Sequence, residues 1–237
     1  MRGEFSIEFG EQRDAVGEAK LGTSGNVYAV GDTDHPFSIM SVSKPFVSAL
    51  ACQSIGGEQA REKLGANSTG LPFNSLTAIE RRVDGRTNPM VNAGAIATTS
   101  LVPGTTVEAK WKFICDGLSR FAGRKLSLHE EIYACASKTN FRNQSIARLL
   151  RRYDRIYFDP AQATELYTKQ CSLSVSAKDL AVMGATLADG GVNPLTRERV
   201  VECHSLPLHA GRNDDRRTVR DLRRLALRHW AARQERN

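Results

Sequence analysis

The alternation of apolar and polar residues predicts a strand and then a helix near the beginning of the chain. Residues 25–32, GNVYAVGD, hold apolar residues between glycines, which predicts a short strand that ends in a turn. From Ser41, apolar residues recur at helical spacing until two glycines follow at Gly56. Pro45 fits the first turn of such a helix, because the first amide groups of a helix have no acceptor within it. Residues 1–22 are polar and show no clear period.

The middle of the chain is predicted to be mainly helical. Residues 111–121 and 146–153 carry apolar side chains at helical spacing, as expected for helices that face a core. Asp159-Pro160 predicts a helix start, and residues 176–179, SAKD, resemble a capping box whose helix is closed by a glycine pair. These signals predict a helical part between about residues 57 and 190.

The composition is that of an ordinary globular protein in water. The chain has 237 residues, of which 41% are hydrophobic and 25% are charged, enough for one large domain or two small ones. No run of about 18 uncharged apolar residues is present, and the start, MRGEF, lacks the apolar core of a signal peptide. We therefore expect a cytoplasmic protein without a membrane segment.

The cysteines and the distribution of charge limit the functions that the chain can have. Five cysteines are spread along the chain without a C-x-x-C pair or a histidine at zinc spacing, so we expect reduced thiols and no metal site. The alternative is that one of these thiols is a nucleophile. The net charge of +7 is concentrated at the end, where residues 207–237 hold nine arginines and four acidic residues. The rest of the chain is nearly neutral, which argues against a nucleic-acid-binding function for it.

One short motif points to a reaction. Ser41 and Lys44 form an S-x-x-K pattern, and residues three apart on a helix share one face, so the hydroxyl and the amine are expected to lie close together. A lysine that is partly desolvated at a helix start can lose its proton near neutral pH and act as the base for a serine nucleophile. Amide groups at the same helix end can stabilise an oxyanion. Alone, the motif is also compatible with a helix cap and a solvated lysine.

A set of longer motifs resembles the serine-dependent bacterial glutaminases, which hydrolyse L-glutamine to L-glutamate and ammonia. The motifs stand in the family's order: FSIMSVSKPF at residues 37–46, GLPFNS at 70–75, NPMVNAGAI at 88–96, FRN at 141–143 and YTKQCSL at 167–173. The N-P-x-x-N-A-G-A-I pattern is the most specific of them. No other S-x-x-K family offers this combination.

The resemblance implies an α/β fold of the β-lactamase/transpeptidase-like type, with a helical subdomain and an incomplete antiparallel sheet. It divides the chain into an atypical amino-terminal segment at 1–24, an incomplete glutaminase-like domain at 25–201 and an aberrant arginine-rich tail at 202–237. It implies L-glutamine as the substrate and neither metal nor organic cofactor. It also leaves a homo-oligomer open.

Residue by residue, the resemblance implies Ser41 as the nucleophile that contacts the substrate, Lys44 as its base, and Asn92, Asn143 and Tyr167 as further substrate-binding residues. Asparagine both donates and accepts hydrogen bonds, which suits a substrate with a neutral side-chain amide. Tyr167 can also relay a proton. The structural alternatives are that Asn92 satisfies a loop, that Asn143 caps a helix starting at the next residue, and that Tyr167 is half-buried core.

The sequence departs from the family pattern at two places. Seven residues before Asn143 the family usually carries a glutamate that contacts the substrate's α-ammonium group, and here that residue is Ala136. After Val201 the family continues with a tyrosine-containing segment and a Lys-Ser-Gly strand, and neither follows here. Helices that should pack against those strands would expose apolar surface, so we expect an aggregation-prone chain with low or absent activity.

Two other functions compete with the glutaminase hypothesis. A penicillin-recognising serine hydrolase shares the S-x-x-K motif, but the second motif of Ser-Asp-Asn type is absent from the sequence. An inactive glutaminase-like protein whose arginine-rich tail binds RNA or another acidic partner is the alternative of a different class, and its binding would fall steeply with salt. Ammonia release from glutamine, compared with salt-sensitive RNA binding, separates the hypotheses.

The arginine-rich tail is predicted to be a shifted-frame reading of the gene. When permitted codons are chosen for residues 206–237 and the frame is moved forward by one base, the part from Ala210 onward spells LVVMTTA and then GLYETSGDWLYDIGLPGKSG. This string resembles the tyrosine segment and the Lys-Ser-Gly strand of the family, in order. Synonymous codons make short matches easy, whereas a match of this length is hard to obtain by choice. Sequencing the gene tests the prediction: actual codons that do not spell the Lys-Ser-Gly region in the shifted frame would refute it.

Overall fold

The structure, a computed structural model, describes residues 17–202. The predicted tail lies outside these residues, apart from Glu202. Nine helices, one 3₁₀ helix and five strands occur within them. In chain order these are β1 (Gly17–Leu21), β2 (Val27–Gly31), β3 (Phe37–Ser38), the 3₁₀ helix (Met40–Ser43), α1 (Lys44–Ile55), α2 (Gly57–Leu64), α3 (Thr77–Glu80), α4 (Asn92–Leu101), α5 (Val107–Ala122), β4 (Ser127–Leu128), α6 (Glu130–Thr139), α7 (Phe141–Arg152), α8 (Pro160–Cys171), β5 (Leu173–Val175) and α9 (Ala177–Ala188).

Two small antiparallel sheets accompany the helices. Strands β1 and β2 form a hairpin in which Gly17 lies opposite Gly31, and β1 packs against α9. The second sheet has the order β3-β5-β4, with the central strand β5 buried at Leu173 and Val175. The mixed class with antiparallel strands is the predicted one.

Most predicted elements are confirmed, with two differences. The capping box is present, because the Ser176 hydroxyl accepts from the Asp179 amide and the Asp179 carboxylate accepts from the Ser176 amide. The strand expected at 25–32 is β2. Its partner β1 was not predicted, since it has only five residues and most of them are exposed. Its position within residues 1–24 shows that part of that segment is ordered sheet. Helix α1 begins at Lys44, one turn later than the pattern from Ser41 suggested.

Helix α1 is the centre of the molecule. Its residues from Phe46 to Cys52 are all buried, so this part of the helix has no face in contact with water, as expected for a helix enclosed by other elements. Only Gln53 and Ser54, near its end, are exposed. One side contacts a core that includes Ile114, Leu118 and Met183, and the other contacts the core between α4, α7 and α8. Within residues 17–202, no helix is both long and apolar enough to cross a bilayer.

Gly94 allows the start of α4 to pack closely against the preceding loop. A Cβ added at Gly94 would lie 1.9 Å from the carbonyl oxygen of Asn88, a distance that no side chain can occupy. The Asn88 side chain in turn accepts from the Met90 amide, and the Asn92 amide donates to the carbonyl of Phe73. The small residue therefore sets where the first residue of α4, Asn92, lies relative to the loop.

Candidate active site

Ser41 lies at the solvent-exposed start of the buried helix α1. It belongs to the 3₁₀ helix that leads into α1, and its side chain is exposed. The residue before it, Met40, has a φ of 50°, a left-handed conformation that non-glycine residues rarely adopt. Ile39, one residue earlier, is buried and its amide donates to the carbonyl of Leu173. The turn that presents Ser41 is thus strained and attached to the sheet.

Lys44 is buried and has two acceptors. Its side chain is 4% exposed, and its Nζ donates to Asn92 Oδ1 at 2.8 Å and to the Met90 carbonyl at 3.3 Å. Burial lowers the pKa of Lys44 to about 8, against a smaller raising effect of the Cys171 thiolate charge. A neutral amine has two hydrogens and one lone pair, so these two bonds use both hydrogens and leave the lone pair free to accept a proton.

Asn92 connects the other predicted site residues. Its Oδ1 accepts from Lys44 Nζ and, at 3.2 Å, from the Tyr167 hydroxyl. Its Nδ2 donates to Asn143 Oδ1 at 2.9 Å. Because the ammonium form of Lys44 can only donate, the atom that faces it must be the amide oxygen, and the Tyr167 hydroxyl donates to the same oxygen. Both ends of this side chain are therefore occupied by protein groups.

Tyr167 links this network to Ser41. Its ring is buried, and its hydroxyl lies close enough to the Ser41 side chain for the two to interact. Burial raises the pKa of Tyr167 well above its ordinary value; interactions with Cys171 raise it further, and the interaction with Ser41 lowers it. The phenol therefore stays protonated at neutral pH and can both donate to Asn92 and accept from Ser41.

The structure brings all five predicted residues into one connected site. Ser41 and Lys44 are neighbours across the junction of the 3₁₀ helix and α1, rather than residues of one α-helix. The expectation that Asn143 caps a helix starting at the next residue is wrong, because α7 already begins at Phe141 and Asn143 bonds to Asn92. Tyr167 is fully rather than half buried.

Three groups near the site were not predicted. The Phe73 ring lies 5.6 Å from Lys44 Nζ, measured to the ring centroid. The Cys171 thiol lies 4.0 Å from the hydroxyl of Ser43, and burial raises the pKa of the thiol. The Met90 carbonyl accepts from Lys44. All three residues belong to the motifs quoted above: Phe73, Met90 and Cys171. The motifs therefore indicated that these residues lie near the site, but not what each of them contacts.

Comparison with known proteins agrees with this geometry. The sequence model of the family described as Glutaminase matches residues 11–208. The chain belongs to the glutaminase family. The glutaminase called Glutaminase 2 from Yersinia pestis is 67% identical over 194 residues, which cover 81% of this chain and 57% of that protein. The solved structure of the probable glutaminase ybaS is 43% identical with a TM-score of 0.78, and the match covers 81% of this chain and 62% of that one.

A further glutaminase structure is relevant to experiments. The probable glutaminase from Bacillus subtilis, complexed with 6-diazo-5-oxo-L-norleucine, is 26% identical with a TM-score of 0.71, over 82% of this chain and 59% of that one. These neighbours confirm the β-lactamase-like fold of the glutaminases. The chain spans about three fifths of the length of these three glutaminases.

The positions of the acidic side chains bear on the binding of metal ions and of an α-ammonium group. Among residues 17–202, no three His, Cys, Asp or Glu side chains are grouped so that they could bind a metal ion. Ala136 lies half-buried on α6 and offers no carboxylate to an α-ammonium group. Glu130 and Glu131, the nearest upstream acids, are exposed in the first turn of the same helix.

Proposed function

We propose that this glutaminase-family chain hydrolyses L-glutamine to L-glutamate and ammonia through an ester on Ser41. The observation that supports the proposal most is the connection of an exposed Ser41 to a buried Lys44 with a pKa of about 8, through Tyr167 and Asn92. A base with a pKa near the working pH is the most effective proton acceptor for a hydroxyl nucleophile.

The reaction follows from the hydrogen bonds. Ser41 gives its proton toward neutral Lys44 while Oγ attacks the side-chain amide carbonyl of glutamine, and Tyr167 stays protonated beside the Ser41 hydroxyl. The tetrahedral intermediate carries a negative oxygen, and amide groups at the start of the helix can stabilise it. When the C–N bond breaks, Lys44 returns the proton and ammonia leaves. Water then attacks the ester, again with Lys44 as the base, and releases glutamate.

Asn92 and Asn143 are proposed to play different parts. Both the Oδ1 and the Nδ2 of Asn92 are bonded to protein groups, so we assign this residue to holding Lys44 and Tyr167 in place. Its contact with the substrate is expected to be minor. Asn143 is half-buried, and its Oδ1 accepts from Asn92. Within the described part of the chain its Nδ2 has no acceptor, so this group is suited to donate to a carboxylate or amide oxygen of glutamine.

Ammonia release from L-glutamine by the purified chain tests the proposal. We expect release that is slow, in keeping with the low activity expected from the sequence, and that continues in the presence of a chelator, because no step uses a metal. It should be at least about 100-fold slower still with L-asparagine, whose amide lies one methylene closer to the α-carbon. Equal release from both amides, or loss of release with the chelator, would contradict the mechanism.

The remaining expectations concern assembly and location. A cytoplasmic location and self-association stay predictions of the sequence. Sedimentation of the purified chain over a range of concentrations tests self-association, and a single monomeric species throughout would refute it.

A further inference from the structure

A buried chain of hydrogen bonds joins α4 to the 3₁₀ helix that contains Ser41. Thr99 Oγ1 lies 2.9 Å from Gln170 Oε1 and 3.0 Å from the Ala95 carbonyl one turn earlier, so its single hydrogen is shared between these two acceptors. Gln170 Nε2 donates to Ser43 Oγ at 2.9 Å, and Ser43 Oγ donates to the Met40 carbonyl at 2.8 Å. Thr99, Gln170 and Ser43 are each at most 1% exposed. Polar groups buried in this way are costly unless they are bonded, and here each donor meets an acceptor.

The chain of bonds ends at the strained residue of the turn. Met40 has the left-handed φ of 50° and is partly exposed, so its own side chain does not fix this conformation. A non-glycine residue stays in such a conformation only where its surroundings determine it. The Ile39 amide bonds to the Leu173 carbonyl on the amino-terminal side of the turn. On the other side, the support comes from Ser43 and, through it, from Gln170.

Gln170 is chemically suited to this position. Its amide accepts from Thr99 and donates to Ser43 at the same time, which neither a carboxylate nor an apolar side chain of equal length can do. No hydrogen bond joins Gln170 to Ser41 or Lys44 within the described residues. The hydrogen bonds of Gln170 therefore reach Ser41 through the turn.

We propose that Gln170, fixed by Thr99, is a positioning residue that holds the Met40–Ser41 turn in its strained conformation through Ser43. The part of this inference that concerns reactivity rests on the proposed function of Ser41. A displacement of a nucleophile by about 1 Å can reduce a rate about 100-fold, so small movements of the turn are enough to matter.

Hydrogen exchange of the turn tests the proposal without any need for activity. The reporter is the peptide that contains the Val42 amide, which donates to the Ile39 carbonyl at 3.2 Å. We expect faster exchange of this peptide in Gln170→Met and in Thr99→Val. Thr99→Ser keeps the hydroxyl and should exchange like the parent.

The neighbouring threonine provides a matched control. Thr98 is also buried on α4, and its hydroxyl also donates to a carbonyl one turn earlier, that of Gly94. Thr98 makes no hydrogen bond to Gln170, so Thr98→Val should leave the exchange of the turn unchanged. A general loss of stability would act on both threonine variants, whereas a positioning role acts on Thr99→Val alone.

Covalent trapping measures the effect on Ser41. The probe is 6-diazo-5-oxo-L-norleucine, which resembles glutamine with a diazomethyl group in place of the amide nitrogen. We expect Gln170→Met and Thr99→Val to lower the maximal rate of adduct formation by about 10- to 100-fold, with a half-saturating probe concentration within about twofold of the parent. Thr98→Val should match the parent in both quantities.

The outcomes are distinguishable. Unchanged exchange of the turn in Gln170→Met and Thr99→Val overturns the positioning proposal, whatever the reactivity of the chain. An unchanged trapping rate in both variants overturns it as well. Absence of an adduct in the parent instead overturns the proposed role of Ser41. If Gln170→Met does not fold, the proposal is tested by comparing Thr99→Val with Thr98→Val in the same two measurements.

Discussion

Replacing Ser41 with alanine should reduce glutamine hydrolysis at least about 1,000-fold, because removal of a nucleophile abolishes the ester pathway and leaves only binding and charge stabilisation. The side chain is exposed, so the free energy of unfolding should change by no more than about 0.5 kcal/mol. Initial rates of ammonia release and a denaturant titration measure the two quantities on the same preparation.

A surface serine provides the control for this experiment. Ser24 is exposed in the turn between β1 and β2, and Ser24→Ala should retain the rate of the parent. If Ser41→Ala turns over glutamine as fast as Ser24→Ala, another group performs the attack and the assigned nucleophile is wrong.

Replacing Lys44 with methionine should lower activity and raise stability at neutral pH. Loss of a general base typically costs about 100- to 10,000-fold in rate. The same lysine destabilises the fold, because its pKa falls from 10.5 to about 8 when it is buried. Each pKa unit corresponds to about 1.4 kcal/mol, and the bonds lost to Asn92 and Met90 offset part of this. We therefore expect a gain of about 1–3 kcal/mol in the free energy of unfolding at pH 7.

The pH dependence of that gain identifies its cause. Between pH 8 and 10.5 the folded parent has a neutral Lys44 while the unfolded chain still binds the proton, so the stability of the parent rises with pH. The advantage of Lys44→Met should therefore be largest below pH 8 and should vanish toward pH 10.5. Lys112→Met, at an exposed lysine paired with Asp116, should show no such gain. A gain that does not change with pH would mean that packing, rather than charge burial, is responsible.

The sequence was most informative where a local signal matched the final structure. The capping box at Ser176 needs only residues of its own helix, so it was predicted in detail. Asn92, Asn143 and Tyr167 were proposed as site residues from short motifs, and the structure places them in contact. Their grouping itself could not be derived from the residues alone, because they lie on α4, α7 and α8, whose packing depends on the whole core.

Other features could not be predicted from local patterns. The start of α1 at Lys44 depends on the left-handed conformation of Met40, and nothing in a methionine signals it. Strand β1 has only five residues and most of them are exposed, so it offers little of the apolar face by which a half-buried strand is recognised. The bond from Gln170 to Ser43 joins residues far apart in the chain. Glutamine at a helix end is usually assumed to face water, and only the tertiary structure shows it buried.

The central claim, that Ser41 is the nucleophile of a glutamine-recognising site, is tested most directly by locating the bond it forms. The purified chain is incubated with 6-diazo-5-oxo-L-norleucine, digested and mapped by mass spectrometry, with and without excess L-glutamine. We predict a single adduct on Ser41 that L-glutamine suppresses and that is absent from Ser41→Ala. An adduct on a cysteine, an adduct that survives in Ser41→Ala, or no adduct in the parent would contradict the claim.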